Sequence, residues 1–236
     1  MNRYWLRVPP EEVDRTLLRM LEWFPEGVQE ESDGDAIVLS GYALAPPAAG
    51  LEEAPVEDGW ADRWREFHRP VRAGRLWIGP PWYRPQEEPV VIDPGHAFGT
   101  GAHGSTRAAL ELLQRLAPQP ALDLGCGSGV LSIAALRLGF GPIFACDVDP
   151  LAVIACTENA RRNGVSLEVA RADALVDPLP QAPLWIANLQ RDLLERLLQR
   201  SDLPPLLLAS GLLERESVGG GERVVVDGWA AELVRP

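Results

Sequence analysis

One stretch constrains this chain more than any other, Ala121-Leu-Asp-Leu-Gly-Cys-Gly-Ser-Gly-Val130. An apolar run ends in Asp123. Gly125, Gly127 and Gly129 follow at alternate positions, and Val130 to Leu138 then reads as a helix. Glycine lets a backbone turn tightly between strand and helix and approach a ligand closely. The helix start adds unpaired N–H groups and the positive end of a dipole. Such a corner favours a nucleotide-like ligand that carries a carboxylate or a phosphate.

The spacing narrows the ligand. A dinucleotide fingerprint needs G-x-G-x-x-G, but the sixth residue counted from Gly125 is Val130. A dehydrogenase is therefore disfavoured. Asp147 ends the next apolar segment about twenty residues on, where a carboxylate can accept both hydroxyls of a ribose. It could instead cap a helix, as Asp149 before Pro150 also suggests. Asp173 and Ala174 follow the third strand, where a carboxylate and a backbone N–H could meet an adenine, or where the acid could cap a loop. Asn188 ends the fourth strand and faces the same crevice. Its amide could hold a substrate amine or a cofactor, or could simply occupy a turn.

From Val90 onward, strands alternate with helices. The expected segments are 90–92, 106–116, 121–124, 130–138, 143–146, 151–163, 167–170, 184–187, 192–200 and 206–209, and a hairpin around Asp227-Gly228 closes the chain. This order implies an α/β fold with a doubly wound, mainly parallel sheet and a ligand site at the carboxyl ends of its strands. Before it comes a small α+β module. Tyr4 to Val8 alternates like an edge strand. Glu11 to Phe24 is an amphipathic helix with Val13, Leu17, Leu21 and Phe24 on one face, and 28–31 and 36–39 form two strands. Ala43 to Pro55, rich in Ala and Pro, reads as a loop. Trp60, Trp64 and Phe67 fall at helical spacing in a joint that continues to the short strand Leu76 to Ile78 and the turn at Gly79 to Trp82. The expected organisation is a module over 1–57, a linker over 58–82 and a ligand-binding domain over 83–236.

A second informative stretch is Ile92-Asp-Pro-Gly-His-Ala-Phe-Gly-Thr-Gly-Ala-His-Gly-Ser-Thr-Arg107. Its composition supports a flexible loop running into a helix cap. The segment Phe98 to Thr106 closely resembles the F-G-T-G-x-H-x-T-T motif of the ribosomal protein L11 methyltransferase (PrmA) family. The glycine loop, of the form D-x-G-x-G-x-G, resembles the S-adenosylmethionine (SAM) loop of class I methyltransferases. Asp147 to Pro150, Glu158 to Gly164, Ala187 to Leu189 and Ser210 to Leu213 fall in the family's order, and Trp60 to Pro70 and Ile78 to Trp82 resemble its linker.

The resemblance implies a SAM-dependent lysine N-methyltransferase of a ribosomal protein, with a seven-stranded-type sheet and a ferredoxin-like N-terminal module that recognises the substrate. Cofactor contacts are then expected from Phe98, Gly99, Thr100, Thr106, Asp123, Gly125, Gly127, Asp147, Val148, Asp173, Ala174 and Asn188. Phe98 to His103 would form a lid near the methyl group, and Asn188 and His103 are the candidates for the chemistry. The sequence departs from the family at three places. Ser105 replaces the first Thr of the pair, and Leu189-Gln-Arg191 replaces a more apolar stretch. After Leu213 a helix of the usual order has little room. Another protein or small-molecule acceptor, or a non-catalytic module binding a ribosomal protein, stays open on these grounds.

A net charge of −12 repels nucleic acid at long range and either favours a basic protein partner or serves solubility alone. The start of the chain has no signal-peptide apolar region, no run is long enough to span a membrane, and three cysteines lack C-x-x-C spacing. The cytoplasm is the expected compartment, with no metal site.

Overall fold

In a computed structural model of the chain, the residues described are 2–9, 12–13, 16, 19–20, 23–24, 28–34, 36–43, 46–48, 50–55, 69–83, 89–93 and 101–236. The chain divides into two compact units, Met1–Phe67 and His68–Pro236.

The smaller unit holds β1 (Asn2–Val8), β2 (Gln29–Asp33), β3 (Ala36–Ala43) and β4 (Glu52–Pro55) in the antiparallel order β2-β3-β1-β4. Tyr4 and Val8, alternating along β1, join Met20, Phe24 and Leu39 in one core. β1 is not the expected edge strand, because β4 pairs with it over Asn2 to Trp5. Alternation reports that one face of a strand is buried and says nothing of its neighbours. β4 itself lies where a loop was expected. Four residues, Glu-Glu-Ala-Pro, carry no apolar pattern, and their pairing with β1 alone holds them as a strand. The helix expected over 11–24 lies largely outside the described residues, as do Leu17, Leu21 and the aromatic joint at Trp60, Trp64 and Phe67. The ferredoxin-like reading of the module rests on those same parts.

The larger unit begins with a small sheet, β5 (Val71–Ala73), β6 (Leu76–Gly79) and β7 (Val90–Val91), of which the β5–β6 hairpin was not anticipated. It continues as α1 (Gly104–Leu113), β8 (Ala121–Leu124), α2 (Val130–Arg137), β9 (Ile143–Asp147), α3 (Pro150–Arg162), β10 (Glu168–Arg171), β11 (Leu184–Asn188), α4 (Arg191–Leu197), β12 (Leu206–Leu213), β13 (Glu222–Val226) and β14 (Trp229–Val234). Seven strands form one sheet in the order β10-β9-β8-β11-β12-β14-β13. The first five are parallel; β14 pairs antiparallel with β12, and β13 antiparallel with β14. The alternating pattern of the sequence thus gives the expected mainly parallel sheet. Its strand order reverses between β8 and β11, the place where such sheets open a crevice for ligands.

Period-two alternation sorts the strands into two cores. Ala121, Leu184, Ile186 and Leu208 pack with α1 and α2. Leu122, Leu124, Trp185, Ala187 and Leu207 pack with Leu194 and Leu197 of α4. Both faces of the central strands are covered, so β8 is buried at all four positions.

Residues 214–221, between β12 and β13, contain no helix. Glu232 on β14 orders this short connection instead. It is 1% exposed. Its carboxylate accepts from Ser217 Oγ at 3.0 Å and from the N–H groups of Val218 and Gly220 at 3.1 Å, and pairs with Arg223. A buried carboxylate is stable only with such partners. Glu232→Ala would strand two N–H groups and leave the Arg223 guanidinium without its carboxylate. The expected result is a loss of about 3 kcal/mol in urea unfolding, against less than about 1 kcal/mol for Glu222→Ala, whose carboxylate pairs with Arg115 at 3.1 Å in an exposed position.

Candidate cofactor site

The glycine loop is fastened to the end of β9. Gly125 and Cys126 both donate their N–H to Cys146 O, at 2.9 and 3.0 Å. Gly127 N then donates to Asp147 Oδ2 at 2.9 Å. Gly129 caps α2 with φ 81°, where a Cβ would lie 2.6 Å from Cys156 Sγ and 3.3 Å from its Cα. Both the dihedral and the packing therefore demand glycine there.

Asp147 receives a second N–H, from Asp149 to Oδ1 at 3.0 Å. Its carboxylate is thus held by one donor at each oxygen, and each oxygen keeps acceptor capacity for a ligand. The helix-capping alternative belongs to its neighbour, since Asp149 accepts from Leu151 N at 2.9 Å and starts α3.

Around this loop lies a cavity of about 450 Å³, within the usual range for small-molecule sites. One side is the loop and the start of α2: Gly125, Cys126, Gly127, Val130 and Leu131. Asp147 and Val148 follow from β9, Ala172 to Leu175 from beyond β10, and Asn188 and Leu189 from the end of β11. Leu193 and Arg196 of α4 and Thr106 of α1 complete it. The wall at 172–177 is braced by its own hydrogen bonds. Asp173 Oδ1 accepts from Leu175 N, and Asp177 Oδ2 accepts from Asp173 N, both at 2.8 Å. Arg200 beyond α4 ties down the same wall, donating to Ala174 O at 3.0 Å and Asp177 O at 3.1 Å. Asp173 therefore both caps its turn and lines the cavity.

Asn188 donates from Nδ2 to the buried Thr106 Oγ1 at 3.4 Å, joining β11 to α1. Ser210 Oγ donates to Ser105 O at 2.8 Å, and Leu189 N to Ser210 O at 3.0 Å. Gly211 (φ 91°) must be glycine, because a Cβ would sit 2.2 Å from Leu189 O. The sequence stretches 104–106, 187–189 and 210–213 thus meet in one place.

Of the residues expected at the site, Thr106, Gly125, Gly127, Asp147, Val148, Asp173, Ala174 and Asn188 line one cavity. Phe98, Gly99 and Thr100 lie outside the described residues. His103 does not line it. It caps α1, accepting from Ser105 N at 3.4 Å and sharing a 2.8 Å bond with Ser105 Oγ, and packs edge-on to Trp229. Asp123 does not line it either. Strand alternation sends its side chain towards α2, where it is 1% exposed and its Oδ2 accepts from Ser132 N at 3.1 Å and Ser132 Oγ at 2.5 Å. Sequence reasoning missed Cys126, Val130, Leu131, Ala172, Leu175 and Leu189, and also Leu193 and Arg196, whose spacing of three on α4 reads as an ordinary helix face. Among the described residues, no group of three or more His, Cys, Asp or Glu could hold a metal ion.

A cavity with a carboxylate that keeps acceptor capacity and with apolar side walls suits an adenosine ligand without a pyrophosphate. Comparison with known proteins agrees. Residues 35–217 match the family model described as ribosomal protein L11 methyltransferase (PrmA). The chain belongs to the ribosomal protein L11 methyltransferase family.

A relative of that name from Pelotomaculum thermopropionicum is 36% identical over 225 residues, which is 89% of this chain and 73% of the relative. Another, from Caldanaerobacter subterraneus subsp. tengcongensis, is 38% identical over 172 residues, 67% of this chain and 55% of the relative. A crystal structure of the ribosomal protein L11 methylase of Lactobacillus delbrueckii subsp. bulgaricus superposes with a TM-score of 0.64 at 27% identity, covering 71% of this chain and 99% of that one. This L11-methyltransferase family member is thus a SAM-dependent methyltransferase with the corresponding sheet.

Burial pushes the Asp123 carboxyl up to about 6, against the opposing hydrogen bonds from Ser132. The folded protein then holds this proton to a higher pH than the unfolded chain does. The resulting stability is full below about pH 4 and is lost as pH rises through about 6. A shift of about two units amounts to about 3 kcal/mol. Asp123→Asn removes the titration. In urea unfolding, the wild-type free energy minus that of the variant is expected to fall by about 3 kcal/mol between pH 3 and pH 7.

Proposed function

We propose that this methyltransferase modifies lysine amino groups of ribosomal protein L11, with SAM in the cavity around the glycine loop and Asp147. The observation that carries this reading is the Asp147 carboxylate, fixed by Gly127 and Asp149 and lining the same cavity as Asp173, Ala174 and Asn188. Asp147 accepts from the ribose hydroxyls. Val148 and Leu175 supply the apolar walls for adenine, and Asp173 with the Ala174 N–H reads its polar edge. Gly125 and Gly127 bring the backbone close enough for the methionyl part to approach, and Thr106 holds Asn188 in place.

When bound, SAM supplies a methyl carbon on a sulfonium, a centre open to in-line displacement by a neutral amine. The protein's task is then to align and to desolvate. Alignment alone can supply up to about 7–11 kcal/mol in ideal systems. A lysine amine is protonated below a pKa of about 10.4, and a water-poor site favours its neutral form. Asn188, at the carboxyl end of β11, aligns the amine through its amide oxygen while its Nδ2 stays on Thr106. His103 serves as the cap of α1.

The smaller unit is the part that recognises the substrate. A chain of net charge −12 attracts a basic ribosomal protein and disfavours direct contact with nucleic acid. No helix of the described residues is long and apolar enough to cross a membrane, and the reading places the protein in the cytoplasm.

Incubation with isotopically labelled SAM and purified L11, followed by mass spectrometry, tests the proposal. Methyl groups on L11 lysines are expected. SAM binding without incorporation into L11 would remove the substrate assignment. In calorimetry Asp147→Ala is expected to weaken SAM binding about a hundredfold, through the loss of two charge-assisted hydrogen bonds.

A further inference from the structure

Two buried asparagines, Asn159 on α3 and Asn163 at its C-cap, do more than fill the core. Asn163 clamps strand β7. Its Oδ1 accepts from Val91 N at 2.8 Å, and its Nδ2 donates to Val91 O at 2.6 Å and to Asn159 O at 2.8 Å. Asn159 is 2% exposed and uses its amide in two directions. Its Oδ1 accepts from Asp93 N at 3.0 Å, two residues along from the clamped Val91. Its Nδ2 donates to Ser128 O at 3.0 Å, in the middle of the glycine loop. On one side Ser128 adjoins Gly127, whose N–H holds Asp147, and on the other Gly129, which caps α2. Outside the core, Arg162 pairs with Asp93 across 3.0 Å in an exposed position.

We infer that Asn159 is a positioning residue for SAM binding, which sets the glycine loop against Asp93 through a single buried amide. The inference rests on the cavity being the SAM site. An asparagine amide presents a neutral donor and a neutral acceptor side by side on one short planar group, which neither a carboxylate nor an ammonium can do. At this depth, each end needs its partner. Without the Nδ2 donor, Ser128 O loses its buried partner and the loop can settle elsewhere. Gly127 N then no longer meets Asp147 in the geometry that leaves the carboxylate ready for a ribose. Asn163 is also buried and makes three side-chain hydrogen bonds to the two of Asn159, but it touches no part of the loop, so it separates positioning from packing.

The experiment compares Asn159→Leu with Asn163→Leu in the full chain, by SAM calorimetry, thermal unfolding and initial rates with L11. Both variants are expected to lose thermal stability. Asn159→Leu is expected to raise the Kd and the KM for SAM about tenfold or more while kcat at saturating SAM stays within about threefold. Asn163→Leu is expected to keep the SAM Kd within about threefold of wild type. If Asn159→Leu does not fold, the near-isosteric Asn159→Asp, which keeps the acceptor for Asp93 N and loses the donor for Ser128 O, takes its place with the same expected rise. Equal SAM affinity in the Asn159 and Asn163 variants, whether both intact or both weakened in step with stability, would overturn the inference. Failure of the wild-type protein to bind SAM would instead overturn the cofactor site on which it rests.

Discussion

The structure depends on one short contact, the hydrogen bond from Gly127 N to Asp147 Oδ2 at 2.9 Å. It joins the turn after β8 to the end of β9, where Gly125 and Cys126 already donate to Cys146 O. Three successive links fasten a loop that would otherwise be free to vary. The contact also turns a carboxylate towards a cavity without exhausting its acceptors. What surrounds it serves to keep it there: the helix dictated by Gly129, the packing of Cys156 behind it, and Asn159 beneath Ser128.

Much of this was legible in the sequence because it rests on local rules. The alternation of apolar strands and helices is a repeated signal, and it gave the large parallel sheet. The separation between glycine loop and Asp147 follows from the length of one strand–helix–strand unit, so a carboxylate at that distance must return to the loop. Asn188 was placed by the same logic, as the residue that ends the strand across the switch point.

Other features escaped because they are decided by partners remote in sequence. β4 is a strand only through its pairing with β1, and that pairing moves β1 from the edge to the interior. Asp123 stands in the motif but points away from the cavity, since alternation along β8 assigns it to the α2 face. Its environment then raises its proton affinity without giving it a ligand. Glu232 had no motif at all. Its role arises from the short connection after β12, where a carboxylate orders backbone that a longer chain could have folded into a helix. Leu193 and Arg196 were hidden for the opposite reason, since their spacing looks like that of any packed helix.

The central claim is that this loop and carboxylate are built around the ribose of SAM, in a protein of the L11 methyltransferase family. A crystal structure of the protein with S-adenosylhomocysteine tests it most directly. The account predicts both ribose hydroxyls on the Asp147 carboxylate, with the Gly127 N–H still bonded to Oδ2 and adenine lodged between Val148 and Leu175. A ligand bound elsewhere, or a ribose held by other residues with Asp147 turned away, would contradict it.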